Sequence, residues 1–419
     1  MRFSHCAGFR QTIYIIASYD NPKAFQELQT FSTQFGLPAC GLQNITTTQT
    51  LPLAAASTTD GCKFAQVYVD SSGKRVSTAP TYDAGWAQEI ALDVQWAHAI
   101  APMARIILIE AQDALQTNVI KAIQLANSMG PGVVSMSLGA SEYFGTPLLE
   151  SLFTTTGMSY VAAAGDSGIG QAPLWPAISS RVLSVGGTSL TGYTAAGVRT
   201  ETVWGSASSG MSDGTATGKV PGTGGGTSSY LTAPGYQSSL SPAPVHRMMS
   251  DVSFNADPIN GQYAVVIDPV TQASTWYSMG GTSLGTPQWA GMVAVINARK
   301  ALSSQSTIGL LHSLIYPAAS ASDFYVNAKN LNRPFADIVT GQSGSASAST
   351  GFDLPTGWGT PNLNPLVNLA LNVAQAPNVT AQSITGTANL SISINPIWSA
   401  PNSVSWSMSG QPTGIDRKS

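Results

Sequence analysis

The chain has 419 residues and a formal net charge of −3, with only 9% charged side chains; a typical soluble domain carries roughly a quarter. The 18 Lys and Arg form no cluster, which argues against nucleic acid as a partner, because phosphate binding needs grouped cations. A hydrophobic content of 43% argues against disorder, and no apolar run reaches the ~18 residues of a membrane helix, so membrane insertion is not expected.

Taken in order, the chain opens on MRFSHCAGFRQTIYIIASYD. Its weakly apolar run Thr12–Ala17 is short for the core of a signal peptide, roughly 7–15 residues, and reads as a buried strand. Further β-rich runs are Ala65–Val69, Arg105–Glu110, Val133–Leu138, Tyr160–Ala164 and Val182–Val185. Helix-like stretches separate them: Pro22–Phe35, Trp86–Ile100, Val119–Met129 and Thr146–Thr156. The strand runs are apolar throughout rather than alternating. That pattern predicts an α/β fold with a mostly parallel central sheet and helices on both faces.

A Gly/Ser/Thr loop follows at 205–229, then strands at Tyr263–Ile267 and Thr275–Ser278, then a helix at Pro287–Leu302. Beyond about residue 376 the texture changes. Leu390, Ile392 and Ile394 alternate with serines, as do Val404, Trp406 and Met408, which predicts two half-buried antiparallel strands. Two strands cannot make a stable sandwich alone. The expected division is a main domain over 1–375 and, over 376–419, a linker and the start of a truncated β-sandwich-like segment.

The cysteines are Cys6, Cys40 and Cys62. Cys40 and Cys62 flank a polar loop and could close it as a disulfide, leaving Cys6 odd; three reduced thiols is the alternative. Few carboxylates leave a chain little to lose at low pH, since native carboxylates must protonate on acidification. A neutral, exported protein would show the same composition.

The sharpest local signal is GGTSLGTP at 280–287. The glycine pair permits a tight turn, Ser283 stands at the start of the next helix, and Pro287 is expected in the first helical turn. A serine there sits on the positive end of the helix and is a candidate nucleophile. It needs a base. None of the four histidines, His5, His98, His246 and His312, has a suitable setting, and His98 falls late in an amphipathic helix. Glu89 and Asp93 lie four apart on that helix, hence on one face, among Trp86, Ala87, Ile90, Leu92 and Val94. Two carboxylates so placed repel, and one should hold a proton. Asp166, in VAAAGDSG, follows a buried strand at the edge where α/β sheets bind ligands. Protonated, it could donate to an oxyanion.

These motifs together resemble the sedolisins, serine-carboxyl peptidases on a subtilisin-like fold. The resemblance runs from about Gln11 to Pro365. It rests on ALDVQWAHAIAP, SMSLGASE, VAAAGDSG, WPAISSRVLSVGGTSL, NADP, GGTSLGTP and ADIVTG followed by GFDLPTGWGTP. It implies a Ser283–Glu89–Asp93 triad, with Asp166 as oxyanion donor. It also implies one structural Ca²⁺ ion, held by Asp337 and Asp353 with the backbone carbonyls of Ile338, Ser349 and Gly351. By the same resemblance the chain is expected to start where the family's mature enzyme would, without its signal peptide and prodomain. Leu138 stands where many members have Trp, and Ser250 replaces a usual Pro before Asp251.

The expected activity is that of an acid-acting endopeptidase on polypeptide substrates, secreted and monomeric, with Gly225 and its neighbours lining the cleft. Two rivals remain: an inert secreted binding protein on a peptidase scaffold, and a neutral serine hydrolase using His98 as base.

Overall fold

The computed structural model describes residues 8–56, 61–195, 197–205, 221–321, 323–326, 330–372, 391–392 and 404–405. The described parts of 8–372 are built on one twisted sheet. Its main strands are β1 (Thr12–Ser18), β2 (Lys63–Val69), β3 (Arg105–Ala111), β4 (Gly132–Met136), β5 (Met158–Ala163), β6 (Leu183–Tyr193), β7 (Arg199–Val203) and β8 (Val252–Asn255). The order across the sheet is β7-β6-β5-β4-β1-β3-β2, with β8 also pairing with β6. Pairing is parallel except between β6 and β7 and between β2 and the two-residue strand Arg75–Val76.

The expected parallel sheet is therefore present, and its cause is visible residue by residue. Ile13 and Ile15 face one core with Ile106 and Leu108, while Tyr14 and Ile16 face the other with Ile107 and Ile109. Side chains alternate across a strand, so a strand covered on both faces must be apolar at every position.

Helices α1 (Ala24–Phe35), α2 (Ala84–Ile100), α3 (Gln116–Met129) and α4 (Thr282–Leu302) cover the sheet. Asp83 caps α2 by accepting the Trp86 N–H at 2.9 Å. Residues 146–153 form a 3₁₀ helix, not the α-helix expected there. The largest departure concerns α4, which starts at Thr282, five residues before the expected start. Pro287 is thus inside the helix rather than in its first turn. A Cβ on Gly291 of α4 would lie 2.8 Å from the Ile100 Cβ and 3.2 Å from the Ala97 carbonyl oxygen. Glycine there lets α2 and α4 touch.

A second polar feature is buried near α2. The Asn21 N–H donates to Glu110 Oε1 at 2.9 Å, and its side-chain amide donates to Glu27 Oε2 at 2.7 Å and to the Ala87 carbonyl at 3.1 Å. Gln66 donates to Glu110 Oε2 at 2.8 Å and to Asp20 Oδ1 at 3.2 Å. Burial raises all three carboxyls, Glu27 to about 7 and Glu110 well above the ordinary range.

Cys40 and Cys62 are joined as a disulfide with Cα atoms 4.5 Å apart, within the separation such a bridge requires. Cys6 lies outside the described residues. Contacts divide the chain into Met1–Ala376 and Pro377–Ser419. In the second unit Ser391–Ile392 pairs antiparallel with Val404–Ser405; the remainder of the two expected strands lies outside the described residues. No helix among the described residues is long and apolar enough to cross a membrane.

Candidate active site

The carboxyl ends of β4 and β5 and the N-terminal turns of α2 and α4 converge. This is the edge of a parallel sheet where connecting loops can present side chains. Strand β4 ends at Met136 and hands over Ser137; β5 ends at Ala163 and hands over Asp166. Ser283 occupies the second position of α4, where backbone N–H groups have no partner within the helix.

Ser283 stands against Glu89: its hydroxyl favours the Glu89 anion, but burial outweighs that and pushes the carboxyl up to about 7. Glu89 Oε1 has no hydrogen-bond partner among the described residues. Asp93, 1% exposed, is raised well above its ordinary value by burial and then by the charge of Glu89. The two carboxyls share a dry site in which both cannot ionise at ordinary cost. Asp93 Oδ1 also meets the Ser137 hydroxyl at 2.6 Å. Sequence reasoning missed Ser137. Its one signal was a lone hydroxyl residue just past a buried strand, at the ligand edge of the sheet.

Asp166 lies against the residues that open α4. Its Oδ1 accepts both the Thr282 N–H at 2.8 Å and the Thr282 hydroxyl at 2.7 Å. Burial raises this carboxyl too. With Oδ1 holding two donors, a proton on the group belongs on Oδ2. The backbone explains the placement. Gly281 has φ +91°, and a Cβ there would lie 2.6 Å from Asp166 Oδ2. Gly281→Ala therefore adds left-handed strain, about 1–2 kcal/mol, to a clash with the carboxyl. A melting temperature lower by roughly 2–4 °C is expected, and an unchanged thermal melt would contradict this account.

The glycine-rich segment stands beside Asp166. Gly222 N–H donates to the Asp166 carbonyl at 3.1 Å, and Gly224 N–H to that of Gly165 at 2.6 Å. Gly225 follows in the same segment, beside Ile169 and the Leu354 carbonyl; residues 206–220 of the expected loop lie outside the described residues. Next to Glu89 opens a cavity of about 460 Å³ whose lining includes Trp86, Val119, Ser137, Leu138, Ala140 and Trp175. Leu138 leaves more room there than a Trp would.

His98 is not at this site. Its ring is fully buried, with Nε2 2.9 Å from the Pro38 carbonyl and Nδ1 3.5 and 3.6 Å from the sulfurs of Cys40 and Cys62. Burial lowers its pKa to about 4, so the reading of His98 as the general base is overturned by its position.

Of the expected cation ligands, the carboxyls of Asp337 and Asp353 lie close enough to act on one another. Asp337 Oδ2 accepts the Gly351 N–H at 3.0 Å, and Asp353 Oδ2 accepts the Ser349 N–H at 2.9 Å. Buried Asp337 Oδ1 has no hydrogen-bond partner among the described residues. Burial raises Asp353 to about 6, with the Asp337 charge adding to it. A carboxylate pair, Asp353 buried and Asp337 half-buried, with one orphaned oxygen fits a hard, oxygen-seeking cation.

The profile of the Subtilase family matches residues 81–359. Sedolisin of Pseudomonas sp. (strain 101) is 31% identical over 258 residues, which cover 56% of this chain and 40% of that protein. Human (Homo sapiens) tripeptidyl-peptidase 1 is 28% identical over 269 residues, 58% of this chain and 42% of that protein. The chain thus spans about two fifths of the length of these curated relatives. The solved Pseudomonas sedolisin, complexed with two molecules of pseudo-iodotyrostatin, has a TM-score of 0.65 at 25% identity, covering 87% of this chain and 93% of that one. The family match, the doubly covered parallel sheet and these relatives together show that the chain belongs to the subtilase family, on its sedolisin branch.

Proposed function

We propose that this chain is an acid-acting serine-carboxyl endopeptidase. The observation that carries the reading is Ser283, in the first turn of α4, facing a buried Glu89 whose charge is opposed by its buried neighbour Asp93. In this reading Ser283 Oγ bonds to the scissile carbonyl carbon as Glu89 takes the hydroxyl proton. Glu89 then returns a proton to the leaving amine as the C–N bond breaks. Water enters the acyl-enzyme by the reverse sequence and frees Ser283. The neutral Asp166 donates from Oδ2 to the oxyanion, beside the N–H groups opening α4. The relatives include both a sedolisin and tripeptidyl-peptidases, so exo- and endopeptidase action are separated by substrate rather than by name. The test is a pH–rate profile on acid-denatured protein and on a peptide with a blocked N-terminus, with Ser283→Ala as control. Cleavage of the blocked peptide in acid supports endopeptidase action; activity surviving Ser283→Ala sinks the reading. The inert-scaffold alternative loses ground because Ser283, Glu89, Asp93 and Asp166 are all present in the sequence.

The same proposal includes one structural Ca²⁺ at Asp337 and Asp353, with carbonyls of Ile338, Ser349 and Gly351 completing the shell. An ion that binds only the folded state stabilises by mass action, about 2.7 kcal/mol at a hundredfold excess over Kd. A chelator should therefore lower the melting temperature by several degrees. Asp337→Ala should lower it likewise and abolish the chelator's effect. A melt indifferent to chelator removes the ion from the proposal. Export to an oxidising, acidic medium is part of the reading, supported by the disulfide and by the acid chemistry.

A further inference from the structure

The Ser137 hydroxyl touches two acceptors. It lies 2.6 Å from Asp93 Oδ1 and 3.3 Å from the carbonyl oxygen of Ser283. The second contact has a cause in the sequence. Within an α-helix the carbonyl of residue i takes the N–H of residue i+4. For Ser283 that residue is Pro287, which has no N–H. The interior proline therefore opens the backbone carbonyl of the candidate nucleophile, and Ser137 is the side chain that fills the gap.

A serine hydroxyl has one proton to give and two lone pairs with which to accept. It cannot donate to Asp93 and to the Ser283 carbonyl at once. We infer that Ser137 is a positioning residue whose hydroxyl turns with the protonation of the Glu89–Asp93 pair and so ties the pair's charge to the backbone of Ser283. The inference rests on the proposed function. With the proton on Asp93 Oδ1, that O–H donates to Ser137 Oγ, and the Ser137 O–H donates to the Ser283 carbonyl. With Asp93 ionised, Ser137 donates to Oδ1 and the carbonyl loses its donor. Ser137 keeps its own proton throughout.

Few other ionisable groups bear on the pair. Asp166 acts on Glu89 from across the site. On α2 itself, Asp83 caps the first turn and neutral His98 lies near the far end. From α1, Glu27 is held by Asn21 and the Ile267 N–H. On α4 the cations, Arg299 and Lys300, are in the last turn.

The test is the acid limb of kcat/KM, which reports ionisation of the free enzyme. Ser137→Ala removes the donor that favours ionised Asp93. The pair then binds its proton more tightly, and the limb should move to higher pH by about one unit. Ser137→Thr, which keeps the hydroxyl, should restore it. Pro287→Ala gives the Ser283 carbonyl an N–H partner inside the helix. Ser137 is then left to Asp93 alone, and the limb should move the other way, to lower pH. Pro287→Ala also covers the case in which Ser137→Ala does not fold. A uniform loss of kcat/KM with the limb unmoved in both variants overturns the inference while leaving the proposed function standing. A wild type insensitive to Glu89→Gln overturns both.

Discussion

Glu89→Gln is expected to reduce kcat on a denatured protein substrate by about 10³–10⁴-fold at the acid optimum, with the fold intact. General-base catalysis supplies roughly 10²–10⁴-fold, and here the same group must also protonate the leaving amine. The amide keeps the shape of the carboxyl but cannot accept the proton of Ser283. Stability separates lost chemistry from lost structure. Burial raises Glu89, so its anion is the form the folded state disfavours. A neutral amide removes that burden, and the variant should melt no lower than wild type near neutral pH. A variant that retains most of its acid activity removes Glu89 from the chemistry. One that is inactive and also unfolded leaves stability, rather than catalysis, as the explanation of the loss.

Asp166 should behave differently, because its proposed task needs a donor and not a base. Asp166→Ala should cost about 10²–10³ in kcat, the usual effect of deleting one oxyanion donor. Asp166→Asn should recover most of that loss. The amide oxygen can replace Oδ1 as acceptor of the two Thr282 donors, and the amide N–H₂ takes the place of protonated Oδ2. The pH dependence carries the sharper result. The wild-type group donates only while protonated, and burial raises its pKa, so activity should fall as pH rises through that value. An amide donates at any pH. The descending limb of Asp166→Asn should therefore move to higher pH. If it stays where it is in wild type, Asp166 is not the oxyanion donor.

Much of this site was legible in the sequence, for identifiable reasons. The 89/93 spacing puts two carboxylates on one helical face whatever the tertiary structure, and unbroken runs such as IILIE announce strands covered on both sides. The candidate nucleophile was legible from GGTSLGTP, but the helix start was not. Proline at 287 was assigned to the first turn because that is its commonest helical place, whereas α4 begins at Thr282 and tolerates an interior proline. The freed carbonyl is served from another element, which no local rule can see. Ser137 was missed for the same reason: its partners lie 44 and 146 residues away. The network of Glu27, Asp20 and Glu110 was invisible because each carboxyl stands alone in sequence and acquires its meaning only from Asn21 and Gln66.

That network makes the hydrogen ion a ligand of the folded chain. Glu27 binds its proton up to about pH 7 when folded, against 4.5 for an ordinary glutamate, and Glu110 is also raised well above its ordinary value. Carboxyls raised in this way contribute stability fully below the ordinary value and lose it as pH climbs through the folded value. Between about pH 4.5 and 7, then, each step toward neutrality strips bound protons from the interior and weakens the fold. Acidity is consequently an ingredient of this tertiary structure as well as a condition for the chemistry proposed at Ser283.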